Sequence, residues 1–464
     1  MPDSFRTVIE PFRIKSVEPI AMTTRAEREA FLAAAHYNPF KLHSEQVIID
    51  LLTDSGTSAM SVEQWAGMMR GDESYAGSVS WQRLEVVIRE LTGYPHILPT
   101  HQGRAAERIL YSHLGGAGKV FLSNTHFDTT RANIEYSGAQ AIDCVTSEAA
   151  RADSRFAFKG NADVERMEAL IGEHGAGAIG AVILTVTNNS GGGQPVSMAN
   201  ARAVRDMCRR HGVLFLLDAC RIAENAWFIK QHEDGYAQTA CHDIAQEMFS
   251  LADGCVMSAK KDALVNMGGF LALKDGELAE HCTSVLIITE GYTTYGGLSG
   301  RDMEAMAVGL VEIFNEDYLR YRTRSTAYLG DHLDRMGVPV IKPIGGHAVY
   351  VDAGRLYEHL PVDQYPGQSL VCELYKIGGI RSVEIGSVMF GKYDDDGRLV
   401  PAPRELVRLA IPRRVYTQSH VDYVIEAFGM VYAERERAPG YRIIREPRFL
   451  RHFTADFEPA ASQP

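Results

Sequence analysis

The sequence predicts an α/β fold built on a mostly parallel sheet, and three groups of residues carry that expectation. Residues 178–187 form a short apolar run rich in Val and Ile, the pattern of a strand buried on both faces. Residues 198–210 follow with apolar side chains at helical spacing (Val204 with Met207 and Cys208), behind Ser197 as an N-cap and ahead of Gly212 as a stop. Residues 213–217 and 254–257 are two further buried-strand runs. Such a succession layers helices on a parallel sheet, and sheets of this kind bind ligands beyond the carboxyl ends of their strands. The polar residues that follow each run are therefore the functional candidates.

Length and composition bound the alternatives. A chain of 464 residues, 45% hydrophobic and 23% charged, has ordinary globular usage and exceeds one small core, so two domains are expected. Residues 1–13 lack the apolar stretch of a signal peptide, and no run approaches the roughly 18–20 apolar residues of a membrane helix. The formal charge of -12 is spread along the chain, which argues against nucleic acid as a partner. The seven Cys, at 144, 208, 220, 241, 255, 282 and 372, form no Cys-x-x-Cys pair and read as free thiols in a reducing cytoplasm, with a nucleophilic Cys as the alternative. The His residues show no metal-ligand spacing. Gly115-Gly116-Ala117-Gly118-Lys119 resembles a phosphate loop only superficially, since Val120 stands where Ser or Thr is required, and it reads as a turn. Residues 458–464 read as a frayed tail.

Three strand ends deliver distinctive residues: Thr187-Asn188-Asn189, Asp218-Ala219-Cys220-Arg221 and Ser258-Ala259-Lys260-Lys261. A strand-end Asp followed by a later Ser-x-Lys-Lys suggests a pyridoxal phosphate site. That cofactor needs an amine for its aldehyde, a carboxylate opposite its pyridine nitrogen, and N–H groups and cations for its phosphate. Lys261 can be the amine and Asp218 the carboxylate, while Ser258 and Lys260 can serve the phosphate. Thr100-His101-Gln102-Gly103-Arg104 precedes an amphipathic stretch, so a helix N-terminus there would offer free N–H groups to an anion. Taken singly, a Lys pair is usually solvated surface and a post-strand Asp a turn cap; their order raises the functional reading.

Longer stretches carry a family resemblance. Pro11-Phe12-Arg13-Ile14, Asp50-Leu51-Leu52-Thr53-Asp54-Ser55-Gly56-Thr57, Gly71-Asp72-Glu73, Gly192-Gly193-Gln194-Pro195-Val196-Ser197, Glu224-Asn225-Ala226, Tyr295-Gly296-Gly297 and Ile411-Pro412-Arg413 resemble the tryptophanase and tyrosine phenol-lyase family of β-eliminating lyases, from about Glu10 to Phe457. The resemblance implies the pyridoxal-phosphate-dependent, aspartate-aminotransferase-like fold (fold type I). It implies an N-terminal arm over 1–18, a small domain over 19–57 and 311–464, and a large cofactor domain over 58–310. It also implies a homotetramer and activation by a monovalent cation such as potassium. Carried onto this chain, it makes Lys261 the cofactor lysine and Asp218 the partner of the pyridine nitrogen. Asn189 and Arg221 flank the phenolic oxygen, Phe127 stacks on the ring, and Gln102, Gly103, Arg104, Ser258 and Lys260 hold the phosphate. Ser55 and Arg413 bind the substrate carboxylate with Thr53 and Asn189 nearby, Arg413 as a bidentate clamp. Phe40 and Tyr292 line the aromatic pocket, Tyr75 is the candidate proton donor to the leaving ring, and Gly56, Glu73 and Asn266 correspond to the cation site.

Three positions separate the family's branches. Asp128 (in Phe127-Asp128-Thr129-Thr130), Ile385 and His452 match the tryptophan-cleaving branch, whereas the phenol-lyase branch has Thr, Arg and Phe at these three places. Asp128 can accept the indole N–H, His452 can orient it, and Ile385 offers an apolar wall. A phenol hydroxyl buried against Ile385 would lose a partner, at about 1–3 kcal/mol. The implied activity is cleavage of L-tryptophan to indole, pyruvate and ammonia. Tyrosine phenol-lyase activity is the runner-up. Ala105, Thr293 and Tyr292 depart from the family pattern and favour a third reading, elimination from a modified aromatic or other β-substituted amino acid. A catalytically silent scaffold is the remaining alternative, opposed by Lys261, Asp218 and Arg413 together.

Overall fold

The computed structural model of the chain describes residues 8–447 and 450–460. The expectations for residues 1–7 and 461–464 lie outside the described residues. Ser55–Thr323 makes one compact unit, built on a seven-stranded sheet. Its strands are β1 (His96–Thr100), β2 (Val120–Ser123), β3 (Gln140–Asp143), β4 (Ile179–Thr185), β5 (Phe215–Asp218), β6 (Gly254–Met257) and β7 (Gly269–Leu273). Their spatial order is β1-β7-β6-β5-β4-β2-β3. The run from β3 to β6 is parallel, and β7 is antiparallel to both neighbours. The mixed, mostly parallel sheet is therefore the one the apolar runs predict.

Helices that matter to the site include α1 (Val62–Met69), α2 (Val79–Thr92), α3 (Gly103–Leu114), α4 (Asp128–Tyr136), α5 (Met198–His211), α6 (Ile222–His232) and α7 (Gly300–Glu312). Ser197 caps α5 by accepting from the Asn200 amide at 3.1 Å, and Gly212 ends it at φ +65°, as their sequence positions suggest. Residues 115–119 form a turn. Phe121, Ile183, Leu216, Val256 and Leu271 from the sheet meet Ala106, Ile109 and Leu110 of α3 in one buried cluster. Each buried Phe, Ile, Leu or Val there contributes about 1.5–3 kcal/mol, so α3 is anchored and its N-terminus is fixed beside the strand ends.

The loop after Lys261 is held just as tightly. Buried Gln64 of α1 donates from Nε2 towards the carbonyls of Ala263 (3.2 Å), Leu264 (3.3 Å) and Ala305 (3.1 Å). Leu264 has φ +57°, a strained value for an L-residue that the packing must maintain. On α7, a Cβ added at Gly309 would lie 1.7 Å from the Ala263 carbonyl oxygen.

The second unit comprises the described residues of Met1–Asp54 and Arg324–Pro464. It contains an antiparallel sheet of β8 (Ala348–Asp352), β9 (Val383–Ile385) and β10 (Leu406–Ala410), in the order β9-β10-β8. Helices α8 (Pro366–Gly378), the single-turn α9 (Ser387–Phe390) and α10 (Gln418–Ala433) belong to this unit. Ile49–Asp50 pairs in parallel with Ile380–Arg381, and the Ala410 amide donates to the Leu51 carbonyl at 2.9 Å. Segments from both the N-terminal and C-terminal parts of the chain build this unit.

The compact units divide at 54/55 and 323/324. The Gly56 amide donates to the Lys260 carbonyl at 2.8 Å, which ties that segment to the larger unit. Arg322 forms a buried ion pair with Glu224 at 3.1 Å, which does the same for the later boundary. The tail reading fails for Glu458 and Pro459, because β11 (Tyr441–Arg445) pairs with β12 (Asp456–Pro459) in an antiparallel hairpin, Arg442 opposite Glu458.

Gly309→Ala should therefore destabilise the protein by about 1–3 kcal/mol through overpacking. Denaturant unfolding checks this, and the same variant should bind the cofactor more weakly because the Lys261 loop is displaced.

Candidate active site

The carboxyl ends of β4, β5 and β6 collect the predicted residues. β5 ends on Asp218, which is buried and accepts from the Cys220 amide at 3.3 Å. Asp218 has no ion-pair partner among the described residues. One turn into α3, the buried Glu107 accepts from Thr130 Oγ1 at 2.5 Å and from Asn133 Nδ2 at 3.3 Å. Burial first, and then the charge of Asp218, push the Glu107 carboxyl up to about 7, with Asp128 adding to the shift. Asp128 opens α4, is buried, and accepts from the Thr129 amide at 2.6 Å. Asp218, Glu107 and Asp128 thus form an acidic group that a cation would relieve.

A cationic group stands on the loop after β6 and the start of α3. β6 leads into Ser258, Lys260 and Lys261. Burial and then the charges of Lys261 and Arg104 lower the Lys260 ammonium below its usual value. None of these three cations has an acidic partner among the described residues. They surround the N-terminus of α3, whose N-cap Gln102 gives the helix no side-chain cap, so its first amides remain available to an anion. Gly103 lies so close to Ser258 that a Cβ there would stand 2.7 Å from the Ser258 Cβ. Gln102 is held by a bridge to Gly268 and by its own amide on His101 Nε2, at 2.9 Å. The residues present fit pyridoxal phosphate: uncapped amides with Arg104 and Lys260 for a phosphate, a buried carboxylate for a protonated pyridine nitrogen, and Lys261 as the amine. Half-buried Phe127 caps α4 beside Asp128. Asn189 is buried and its carbonyl accepts from the Gly192 amide at 3.2 Å, while buried Arg221 caps α6. Burial and the charge of Asp218 raise the Cys220 thiol far above its usual range, and burial raises the other six thiols as well. These values oppose the nucleophilic-Cys alternative.

Tyr75 is exposed. It stacks on Tyr292 (ring centroids 5.6 Å apart, 22° between planes) and leans on Tyr295 at 5.2 Å. Its hydroxyl is raised first by a hydrogen bond with Tyr295. Of the expected cation ligands, Gly56 and Asn266 come together, with Asn266 Nδ2 donating to the Gly56 carbonyl at 3.0 Å and the Ser58 carbonyl at 3.2 Å. Glu73 instead accepts from the Gly300 amide at 2.9 Å and pairs with Arg301 at 3.2 Å. Ala105 is an ordinary residue of the first turn of α3, so its departure from the family Gly imposes no backbone strain.

In the second unit, fully buried Arg413 pairs with Asp54 at 2.9 Å. Thr53 and Ser55 flank Asp54 in sequence and are half-buried. Phe40 meets His452 edge-on at 5.8 Å and Phe453 at 4.8 Å. His452 is buried, and its carbonyl accepts from Asn38 Nδ2 at 3.2 Å. Ile385 is buried on β9. Sequence reasoning missed Glu107 and Asp54. A carboxylate inside an amphipathic helix carries no local mark, although Glu107 stands one turn after the Gly103 that opens the helix, and that spacing could have singled it out.

The Glu107 shift has a consequence for stability. Its proton is held more tightly in the folded chain than in the unfolded one, so the contribution is complete below about pH 4.5 and is lost as pH rises through about 7. Glu107→Gln should flatten this part of the curve, by up to about 3 kcal/mol between the two limits. Denaturant unfolding of the cofactor-free protein at several pH values measures it.

Comparison with known proteins agrees with this geometry. The family model described as beta-eliminating lyase matches residues 50–427. A tryptophanase from Salinibacter ruber is 59% identical over 457 residues, 98% of this chain and 97% of its own length. A tyrosine phenol-lyase from Pasteurella multocida is 48% identical over 452 residues, 97% of this chain and 99% of its own. Among solved structures, an aspartate aminotransferase from Thermotoga maritima superposes with a TM-score of 0.58 at 11% identity, over 89% of this chain and 98% of its own, a likeness of fold. The chain belongs to the β-eliminating lyase family.

Proposed function

We propose that the protein is a pyridoxal-phosphate-dependent carbon–carbon lyase that cleaves L-tryptophan to indole, pyruvate and ammonia with consumption of one water. The observation that carries the reading is a buried acidic group of Asp218, Glu107 and Asp128 together with the cations Arg104, Lys260 and Lys261, which have no acidic partner among the described residues. The cofactor supplies an aldehyde that condenses with amines and a protonated pyridine ring that accepts the electron pair left at the substrate Cα. Gln102, Gly103, Arg104, Ser258 and Lys260 hold its phosphate, Phe127 its ring face, and Asn189 and Arg221 its phenolic oxygen. Asp218 keeps the proton on the pyridine nitrogen. Lys261 Nζ would hold the cofactor aldehyde and would act as the base towards the substrate Cα proton. Arg413, with Thr53, Ser55 and Asn189, binds the α-carboxylate.

An aryl carbanion is a very poor leaving group, so the indole carbon bonded to Cβ must be protonated. Tyr75 serves as that acid or its relay, which is worth about 10²–10⁴-fold. Asp128 accepts the indole N–H, His452 orients that contact, and Phe40, Tyr292 and Ile385 shape the pocket. A proton donor works best shielded from water. Tyr75 is 68% exposed in the single chain, which favours the homotetramer as the working form. Gly56, Glu73 and Asn266 are proposed to hold the activating potassium ion, with Glu73 released from Arg301. Seven free thiols suit a reducing compartment such as the cytoplasm, and among the described residues no helix is long and apolar enough to cross a membrane. Tyrosine phenol-lyase activity is the second reading, and the burial of Ile385, which offers a phenol hydroxyl no partner, counts against it.

Pyruvate release with pyridoxal phosphate and potassium should strongly favour L-tryptophan over L-tyrosine, with indole formed. Asp128→Ala should lose about 10²-fold or more with tryptophan and far less with S-methylcysteine, whose thiolate leaves unaided. Equal losses on both substrates would contradict the role of Asp128, and preference for tyrosine would contradict the substrate.

A further inference from the structure

A second pair of buried carboxylates lies in the smaller unit. Glu384 is on β9 and Glu405 immediately precedes β10, and they are 3% and 5% exposed. Both converge on the first turn of α9. Glu384 accepts from the Val388 amide at 3.1 Å and from the Met389 amide at 3.0 Å. Glu405 accepts from the Ser387 amide at 3.2 Å and from the Ser387 hydroxyl. Only Gly386 separates them, since a Cβ there would stand 2.6 Å from Glu384 Oε1 and 2.9 Å from Glu405 Oε2.

The carbonyls of the same turn are taken by one side chain. Arg451 donates from Nε to the Val388 carbonyl at 2.6 Å, and from Nη2 to the Ser387 carbonyl and, at 2.9 Å, to the Gly391 carbonyl. Its Nη1 pairs with Glu446 at 3.1 Å. Glu384 directly precedes Ile385, and Arg451 directly precedes His452. A single turn of helix therefore links the two segments that carry the ring-contact residues.

We propose that Glu384 and Glu405 act together as a positioning pair for the aromatic pocket, capping α9 from two sides so that Ile385 and, through Arg451, His452 keep a fixed relation. The proposal rests on the reading of Ile385 and His452 as ring contacts. Two carboxylates this close and this buried cannot both ionise at low cost, so one proton is shared. Burial first, and then the charge of Glu405, raise Glu384, and burial also raises Glu405. The other charged groups facing the pair are Asp352, at the end of β8, with Arg355 and Arg404 beside it, and Arg451 across the turn. Loss of the shared proton at alkaline pH sets two like charges on either side of Gly386 and loosens the cap. A glutamine at 405 would keep an acceptor for Ser387 and offer an amide hydrogen to Glu384, imitating the shared proton.

The test uses the holoenzyme, with kcat and KM for L-tryptophan and S-methylcysteine across pH and hydrogen exchange of residues 386–391. Glu405→Ala should raise KM for tryptophan about fivefold or more, leave kcat/KM for S-methylcysteine within about twofold, and speed exchange at 386–391. Glu405→Gln should restore both. Wild-type preference for tryptophan should fall as pH rises from about 7 to about 9.5, and Glu405→Gln should hold it flat. Equal losses on both substrates in Glu405→Ala, or the same alkaline fall in Glu405→Gln as in the wild type, would overturn the proposal. If the wild type shows no preference for tryptophan at any pH, the ring-contact reading is what fails. Exchange at 386–391 then decides the cap: faster in Glu405→Ala and normal in Glu405→Gln supports it, and unchanged in both overturns it.

Discussion

A buried carboxylate without a cation is costly, and three neighbouring cations without an anion are costly too. The larger unit maintains both, at the ends of adjacent strands. The sheet makes this possible. β5 and β6 deliver Asp218 and the Lys260-Lys261 segment to adjacent strand ends, and α3 presents its uncapped amides alongside. The rest of the unit serves to keep that arrangement from relaxing. Gln64 stitches the loop after Lys261 to α1 and α7, and Gly309 lets α7 approach the Ala263 carbonyl. The cofactor's own charge pattern is the complement: phosphate for the cations, protonated nitrogen for Asp218. Binding it would satisfy groups that folding left unpaired.

The same logic holds in the smaller unit. Arg413 is completely buried, and Asp54 neutralises it. Asn38 Nδ2 donates to the His452 carbonyl, and the His452 ring lies against Phe40 and Phe453.

How much of this was legible in the sequence follows from range. Strands 179–185 and 254–257, the cap Ser197, the stop Gly212 and the strand-end Asp218 are local patterns, and a single stretch of chain states each one. The resemblance extended them to Arg413, Ile385 and His452. Glu107 escaped because a charge inside an amphipathic helix is ordinary unless the helix end beside it is known to face a site. Glu384 and Glu405 escaped because only the pairing of β9 with β10 brings them together. The boundary at 323/324 rests on the Glu224–Arg322 ion pair, which joins distant segments and leaves no local trace. The tail was misread because β12 is short and polar, and it becomes a strand only through β11.

The most direct test of the site is an equilibrium titration of the cofactor-free protein with pyridoxal phosphate, following the absorbance of the lysine-bound cofactor. The wild type should develop that band with tight binding. Lys261→Ala should bind without developing it, and Asp218→Asn should bind at least about tenfold more weakly, equivalent to the loss of about 1.4 kcal/mol. Identical titrations in all three proteins would contradict the assignment of Lys261 and Asp218, and with it the account of the site.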